Sequence, residues 1–304
     1  MEQNRKFLKI GLIIIGITLS LCLLITLYLR IDKPVFLKNY CEYPMYLQNE
    51  QDNYYKIGFG YPISLQYITN ITDNREVYNV TFKDAPNLLV NASERQPFNY
   101  FSNYSVHYGT NNTRLGMGIG RYSLRSINLD IQIPIDVNQD EIELTEATLY
   151  FNNGEQMDVN IGKLILYNKH HYNIDNPYLD KNYSSHNSST GEATSDFMVY
   201  NDITIFKVES PLLDELNDIV NIKINDYDYT KASEIQLKQG DRLKITGSIN
   251  YNNNTDLHFI KYNINPNVYY KDNKGNIHHE HIYDITSPYY SKPSLIDTIK
   301  YLKF

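Results

Sequence analysis

The chain has 304 residues and a formal net charge of −7. Four of the 28 basic residues and one of the 35 acidic residues lie at or before Arg30, which leaves 24 basic and 34 acidic residues, or −10, after it. Nucleic acids and anionic lipid surfaces bind basic proteins, so this charge argues against both as partners of the large C-terminal part.

Residues 10–29 form an uncharged apolar segment. A helix of this length rises roughly 30 Å, which is the thickness of the hydrocarbon core of a bilayer. A cleavable signal peptide has a shorter apolar region, about 7–15 residues, followed by small residues at the cleavage site. A lipoprotein would be cleaved before Cys22, but the preceding Leu21 is too large. The sequence therefore predicts a transmembrane anchor over residues 10–30, with membrane contact through 10–29.

The orientation of this anchor is predicted from composition. The flanking basic residues are balanced, three on each side, so the positive-inside rule does not decide. The acidic C-terminal part favours a cytoplasmic N-terminus at residues 1–9 and an extracytoplasmic remainder. We therefore expect a single-pass protein of the cell membrane whose large part lies outside the cytoplasm.

Apolar and polar residues alternate along most of the remaining chain, which is typical of strands with one buried face. The clearest example is Ile127–Val137, where Pro134 predicts an edge strand because proline donates no hydrogen bond. Asn153 and Gly154 predict a type I′ hairpin turn between two further strands. Many short antiparallel strands at this spacing favour a β-sandwich.

The predicted fold class is mainly β, with an N-terminal transmembrane helix followed by two tandem antiparallel β-sandwich (immunoglobulin-like) domains. We expect the C-terminal helix to pack on the second domain, because one face of it is apolar. In chain order the segments are a cytoplasmic N-terminus at 1–9, the transmembrane anchor at 10–30, a stalk at 31–53, a first β-sandwich domain at 54–169, a linker or long loop at 170–196, a second β-sandwich domain at 197–290 and a short helix at 291–304.

Two histidines suggest a possible metal site. His279 and His281 project from the same face of a strand, as two imidazole ligands of zinc would. A third ligand would have to come from His258 or from the pair His170 and His171. The alternative is a solvated hairpin strand without metal.

Asp136, Asn138 and Asp140 match the first half of a calcium-binding loop. An EF-hand is excluded, because Glu141 stands where the loop needs glycine and Ala147 where it needs glutamate. A looser calcium site remains a hypothesis beside the simpler interpretation of a hydrated acidic turn.

Tyrosine is abundant, with 29 residues, and tryptophan is absent. The pairs Tyr54–Tyr55 and Tyr269–Tyr270 are candidate binding residues, because tyrosine rings stack on sugars and are common in protein interfaces. The alternative is that these rings fill cores and sheet faces.

No catalytic motif was found in the sequence, and we do not expect an enzyme. The sequence predicts a membrane-anchored, extracytoplasmic, non-catalytic binding or scaffold protein of the cell envelope with a protein or glycan ligand. The alternatives are a metal-dependent envelope hydrolase that uses the His278–His281 cluster and an accessory subunit of a membrane complex. We expect no cofactor, and the alternative is Zn at the histidines or Ca at the acidic turn.

Overall fold

A computed structural model of the chain describes residues 2–46, 54–57, 63–94, 116–134, 140–168, 176–187, 189–229, 234–251, 259–287 and 293–303. The described helices are α1, Glu2–Tyr28, and α2, Leu295–Lys303. Within α1, the 22 residues Phe7–Tyr28 have a mean hydropathy of 2.7, and their side chains lie outside the protein interior. This helix is long and apolar enough to cross a membrane, and a signal sequence would have the same properties.

The rest of the described chain is almost entirely β. Its strands are β1 (Val35–Phe36), β2 (Lys38–Tyr46), β3 (Tyr54–Ile57), β4 (Ile63–Asn70), β5 (Val77–Phe82), β6 (Leu89–Ser93), β7 (Met117–Ile119), β8 (Tyr122–Pro134), β9 (Glu141–Phe151), β10 (Gln156–Asn168), β11 (Leu179–Asn187), β12 (Glu192–Val199), β13 (Ile203–Glu209), β14 (Val220–Ile224), β15 (Tyr227–Asp228), β16 (Ile235–Leu237), β17 (Arg242–Ile249), β18 (Ile260–Ile264), β19 (Asn267–Asp272), β20 (Ile277–His281) and β21 (Ile285–Thr286). The prediction of a mainly β protein behind an apolar N-terminal helix is confirmed.

Twelve of these strands form one mixed sheet, the first β unit, in the order β1-β4-β8-β3-β2-β10-β9-β5. β6 and β7 also pair with β8, β18 pairs with β2, and β21 pairs with β18. One apolar cluster combines Leu65 and Leu129, from β4 and β8, with Val80 and Leu149, from β5 and β9. The two halves of the sheet therefore pack face to face around a common core.

The second β unit consists of two antiparallel sheets. The five-stranded sheet has the order β11-β12-β17-β14-β15, and the four-stranded sheet has the order β16-β13-β19-β20. Phe197 and Leu243 from the first of these sheets share one apolar cluster with Ile205 and Val268 from the second. This unit is therefore two sheets packed over one core, as sheets with one apolar face require.

β2 lies in the sheet of the first unit but packs against both cores, and the stalk predicted for residues 31–53 is wrong over Val35–Phe36 and Lys38–Tyr46. The strand pairs in parallel with β10 on one edge and with β18 on the other. Cys41 lies in the core of the first unit, while Tyr40 packs against the core of the second. A strand buried on both faces lacks alternation of apolar and polar residues. Pro44 lies inside this strand, and proline in a sequence argues against a strand.

The linker predicted for residues 170–196 is also wrong over part of its length. β11 and the first half of β12 lie within this range and form one side of the five-stranded sheet. Most side chains of β11 are exposed because the strand is at the edge of its sheet. An exposed edge strand needs no apolar face, so its polar sequence resembles that of a loop.

Two local predictions concern proline and glycine. Pro134 is the last residue of β8 and pairs with Tyr54 of β3 on one side, while the described pairing with β6 on the other side ends at Gln132, so the strand is an edge near Pro134 but not along the rest of its length. The β9–β10 hairpin forms as predicted, but Gly154 has positive φ, 86°, and Asn153 does not. The turn is therefore not type I′, which requires positive φ at both central residues.

A third apolar cluster, the junction cluster, forms where α1 meets the first β unit. The hydroxyl of Tyr122 donates a hydrogen bond to the carbonyl oxygen of Leu29 at 2.6 Å. The side-chain amide of Asn70 accepts a hydrogen bond from the backbone N–H of Ile31 and donates one to its carbonyl oxygen. The cluster contains Ile31, Leu37, Ile68, Tyr122 and Phe259, with Leu124, Ile299, Tyr301 and Leu302 packed against it.

α2 therefore packs at the end of α1. Phe259 belongs to the predicted second domain, 197–290, but the other residues that α2 packs against lie before that domain in the chain, so the expected packing on the second domain is only partly correct. The ring of Tyr301 stacks on that of Phe259, with 4.3 Å between the ring centroids. Ser294 caps the helix by accepting a hydrogen bond from the backbone N–H of Asp297 at 3.0 Å. The β part of the protein thus begins directly at the end of the apolar helix α1.

Candidate functional site

The outer face of the four-stranded sheet carries aromatic rings on three neighbouring strands. Successive side chains of a strand point to opposite faces, so Tyr269 faces outward while Tyr270 is buried in the core. Tyr269 is opposite His279 in the β19–β20 ladder, and their ring centroids are 5.6 Å apart. Phe206 on β13 is the third ring. We call Phe206, Tyr269 and His279 the ring row.

Phe206 lies on this face beside a β-bulge. Alternation with the buried Ile203 and Ile205 turns its ring outward. The register of the β13–β19 ladder then shifts between Ile205 and Lys207, so that Lys207 is exposed and Val208 is buried. The ring centroid of Phe206 lies 5.0 Å from the ammonium group of Lys271, which shares the outward side of β19 with Tyr269.

The charged side chains beside the ring row have ionic partners. Lys207 Nζ lies 2.6 Å from Glu209 Oε1, and Lys271 Nζ lies 3.8 Å from Glu234 Oε1. Partial burial, and then the Glu209 carboxylate, raise the pKa of Tyr269, so its hydroxyl stays protonated at neutral pH. The outer face of the four-stranded sheet therefore presents aromatic rings and a neutral hydroxyl group, and the charged groups beside them are paired.

The second predicted tyrosine of this pair has a structural role. The Tyr270 hydroxyl donates a hydrogen bond to Asn176 Oδ1 at 2.9 Å, and the Tyr270 ring stacks on that of His278. Asp272 Oδ2 accepts a hydrogen bond from the Tyr178 hydroxyl at 2.9 Å and lies 3.3 Å from His278 Nε2. Burial raises the pKa of Asp272, but its hydrogen bonds lower it by more, so the carboxylate stays ionised. Tyr270 is thus a core residue and its ring is not available at the surface.

The histidines predicted as metal ligands have separate partners. His279 faces Tyr269, while His281 Nε2 lies 2.9 Å from Asp284 Oδ1. Within the described ranges, no three His, Cys, Asp or Glu side chains are arranged to share a metal ion. The third ligands suggested by the sequence lie outside those ranges: His170, His171 and His258. The metal-dependent hydrolase stays a prediction without a described site.

The remaining predicted site residues are dispersed. Tyr54 and Tyr55 lie on β3, which pairs with the end of β8 and belongs to the first β unit. Asp140 is exposed at the start of β9, whereas Asp136 and Asn138 lie outside the described residues. The structure therefore does not bring either of these sets together with the ring row.

No protein-family model and no curated protein matches the chain. A protein of unknown function from Porphyromonas gingivalis W83 aligns with a TM-score of 0.27 and 9% identity, over 82% of this chain and 97% of that one. The Pseudomonas aeruginosa CupB2 chaperone aligns with a TM-score of 0.16 and 5% identity, over 72% of this chain and 91% of that one. Both scores are too low to support an argument about fold or function.

Proposed function

We propose that the protein is a single-pass membrane protein of the cell envelope whose β units lie outside the cytoplasm and bind a protein or glycan without catalysis. The exposed apolar surface of α1 supports the membrane location, because such a surface needs a lipid environment. The junction cluster supports an anchor that stays attached, because residues directly after α1 are built into the fold. The acidic charge after Arg30 favours the extracytoplasmic side.

The tandem sandwich architecture is part of this proposal. The second β unit supports it best, because two antiparallel sheets enclose a common core, as in immunoglobulin-like domains. The first β unit departs from that pattern through the parallel pairing of β2 with β10. We therefore apply the immunoglobulin-like description to the second unit and describe the first as a sheet folded over its own core.

The ring row is the observation that carries the binding proposal. Aromatic side chains on a flat sheet face give a large contact area at low entropic cost, and they suit the apolar faces of sugars or a protein surface. Phe206 and Tyr269 are partly accessible and His279 is exposed. Their position on three adjacent strands fixes their spacing, which is a property of preorganised binding surfaces.

The test uses full-length protein in lipid nanodiscs, screened against fragments of envelope glycans and photo-cross-linked to neighbouring proteins in native membranes. Once a ligand is found, Tyr269→Ala should weaken its binding about tenfold, because a central aromatic residue often contributes more than 1 kcal/mol. The absence of both glycan and protein ligands would contradict the proposed function.

Tyr78→Ala is the matched control. Tyr78 is also an outward-facing strand tyrosine, 60% exposed, with a neighbouring ring, that of Tyr150, at 6.5 Å. It lies on β5 in the first β unit, away from the ring row. Binding should be unchanged in this variant. Equal loss in Tyr78→Ala and Tyr269→Ala would show that the ring row is not the binding face.

A further inference from the structure

One side of α2 faces away from the junction cluster. Ile296, Lys300 and Lys303 are spaced four and three residues apart and therefore share one side of the helix. Ile296 is 67% exposed. On the opposite side, Thr298 is buried and Leu302 packs in the junction cluster. The exposed side thus combines one apolar and two basic residues, a pattern typical of helices that lie on a bilayer surface.

This side of α2 lies beside the end of the anchor helix. Lys303 Nζ donates a hydrogen bond to the carbonyl oxygen of Arg30 at 3.3 Å and lies 5.4 Å from the ring centroid of Tyr28. Tyr28 is the last residue of the apolar helix, and tyrosines are enriched where a helix leaves the hydrocarbon core. α2 is therefore placed at the depth of the headgroups when α1 spans a bilayer.

The charge at this position differs from that of the C-terminal part as a whole. Arg30, Lys33, Lys300 and Lys303 belong to the chain segments at the junction, against the two carboxylates of Asp32 and Asp297. Arg30 Nε and Asp32 Oδ1 are 3.7 Å apart. The net charge of −10, which argues against anionic lipid as a partner, is a sum over all residues after Arg30. The membrane-facing end has a local excess of basic residues.

We propose that the Ile296, Lys300 and Lys303 side of α2 rests on the phosphate headgroups of the bilayer that holds α1. The ammonium groups pair with lipid phosphates, while Ile296 inserts between headgroups. α2 thereby fixes the body against the membrane surface at a second point besides the anchor. This inference rests on the membrane placement in the proposed function.

The test is a depth measurement on full-length protein in nanodiscs of phosphatidylcholine, with and without phosphatidylglycerol. Ile296→Cys is labelled with a fluorophore in a Cys22→Ser background. Cys41 stays unlabelled because it is buried, and burial raises the pKa of its thiol to about 11. Headgroup-labelled quencher lipids should quench the probe at position 296, and quenching should rise with phosphatidylglycerol. Lys300→Glu should reduce the bound population by at least about fivefold, the effect of one basic side chain near an anionic surface.

Ile277→Cys is the matched control. Ile277 is also an exposed isoleucine, 63% accessible, but it lies on β20 of the four-stranded sheet and not on α2. Stronger quenching at 296 than at 277 supports the inference. Equal quenching at both positions, in protein that alkaline carbonate does not extract from membranes, overturns this inference and leaves the anchor intact. Extraction by carbonate overturns the membrane placement itself, and the inference with it.

Discussion

Glu42 shows how a single side chain on β2 holds the second β unit. Its carboxylate is fully buried, and Oε1 accepts a hydrogen bond from the backbone N–H of Leu212 at 2.6 Å. Oε2 accepts another from the backbone N–H of Asn265 at 2.7 Å. Burial raises the pKa of this carboxyl to about 7, although both hydrogen bonds act to lower it. The folded protein thus binds the Glu42 proton more tightly than the unfolded chain does.

Stability should therefore fall as the pH rises from about 4.5 to about 7, the unfolded and folded pKa values of Glu42. A shift of this size corresponds to about 3 kcal/mol in the free energy of unfolding. Glu42→Gln removes the titrating group. The difference in the free energy of unfolding between wild type and variant should therefore change across this pH range. Urea denaturation of full-length protein at several pH values measures it, and parallel pH dependences in the two proteins would contradict the prediction.

Gly162 and Gly154 illustrate two different structural requirements for glycine. Both have positive φ, 89° and 86°. A Cβ at Gly162 would lie 2.3 Å from the carbonyl oxygen of Asn39 on β2, whereas a Cβ at Gly154 would meet nothing within 4 Å. Gly162 therefore permits the close parallel pairing of β10 with β2, while Gly154 only forms a turn.

Gly154→Ala should lower the free energy of unfolding by about 1 kcal/mol, the strain of a left-handed residue with a side chain. Gly162→Ala should lower it by at least about 3 kcal/mol, because displacement of β2 adds to the same strain. Denaturant midpoints of both variants provide the comparison. Equal losses would mean that β10 tolerates a larger separation from β2.

At the scale of elements, α2 depends on the stacking of Tyr301 on Phe259. Tyr301→Ala should destabilise the docked helix by about 2 kcal/mol, since it removes a partly buried aromatic ring. Amide exchange in α2 should then accelerate roughly 30-fold. Tyr301→Phe keeps the stacked ring and should accelerate exchange less than Tyr301→Ala does. Slow exchange in Tyr301→Ala would indicate that other contacts hold the helix.

Strands with one buried face were predictable from the sequence, because their alternation is local. The apolar positions of β8, such as Ile127, Leu129 and Ile131, all face the first core as expected. Strands with other environments were missed: β2 is buried on both faces and β11 is exposed along most of its length. Their conformations depend on partners that are distant in sequence, and local alternation contains no information about those partners.

The same limit applies to the candidate site. The sequence identifies the pair Tyr269 and Tyr270 as candidate binding residues. Register and sheet packing decide that Tyr270 is buried in the core and that Tyr269 faces outward. Alternation with the buried Ile203 and Ile205 places Phe206 on the outward face, but the sequence does not show that β13 lies beside β19, the strand of Tyr269. The contacts of Glu42 with Leu212 and Asn265 span much of the chain, and a lone glutamate between apolar residues gave no sequence signal for them.

At the scale of the whole molecule, the shared strand β2 makes the two β units dependent on each other. Adjacent residues of β10 demonstrate this coupling, because Leu164 packs in the first core and Ile165 in the second. They are 1% and 2% exposed, so they form a matched pair. If the units were independent, substitutions at these two positions would affect separate unfolding transitions.

We expect a single cooperative transition of the β part, with the same midpoint by circular dichroism and by tyrosine fluorescence. Leu164→Ala and Ile165→Ala should each shift that one midpoint, with a loss of about 2–5 kcal/mol per substitution. Two transitions, each moved by only one of the variants, would show that the tandem units unfold separately.

The position of β2 in the chain also determines when the protein is able to fold during its synthesis. β2 lies near the start of the chain, yet its register with β18 aligns Tyr40 with Tyr262. Pairing with β3 and β10 uses partners from earlier in the chain, but the β18 edge of β2 waits for a partner more than two hundred residues later, and such distant pairing is slow. In the membrane arrangement proposed above, this edge stays uncovered until most of the chain has been translocated. The proposed arrangement therefore favours a holding factor at the exit of the translocation channel, because uncovered strand edges aggregate.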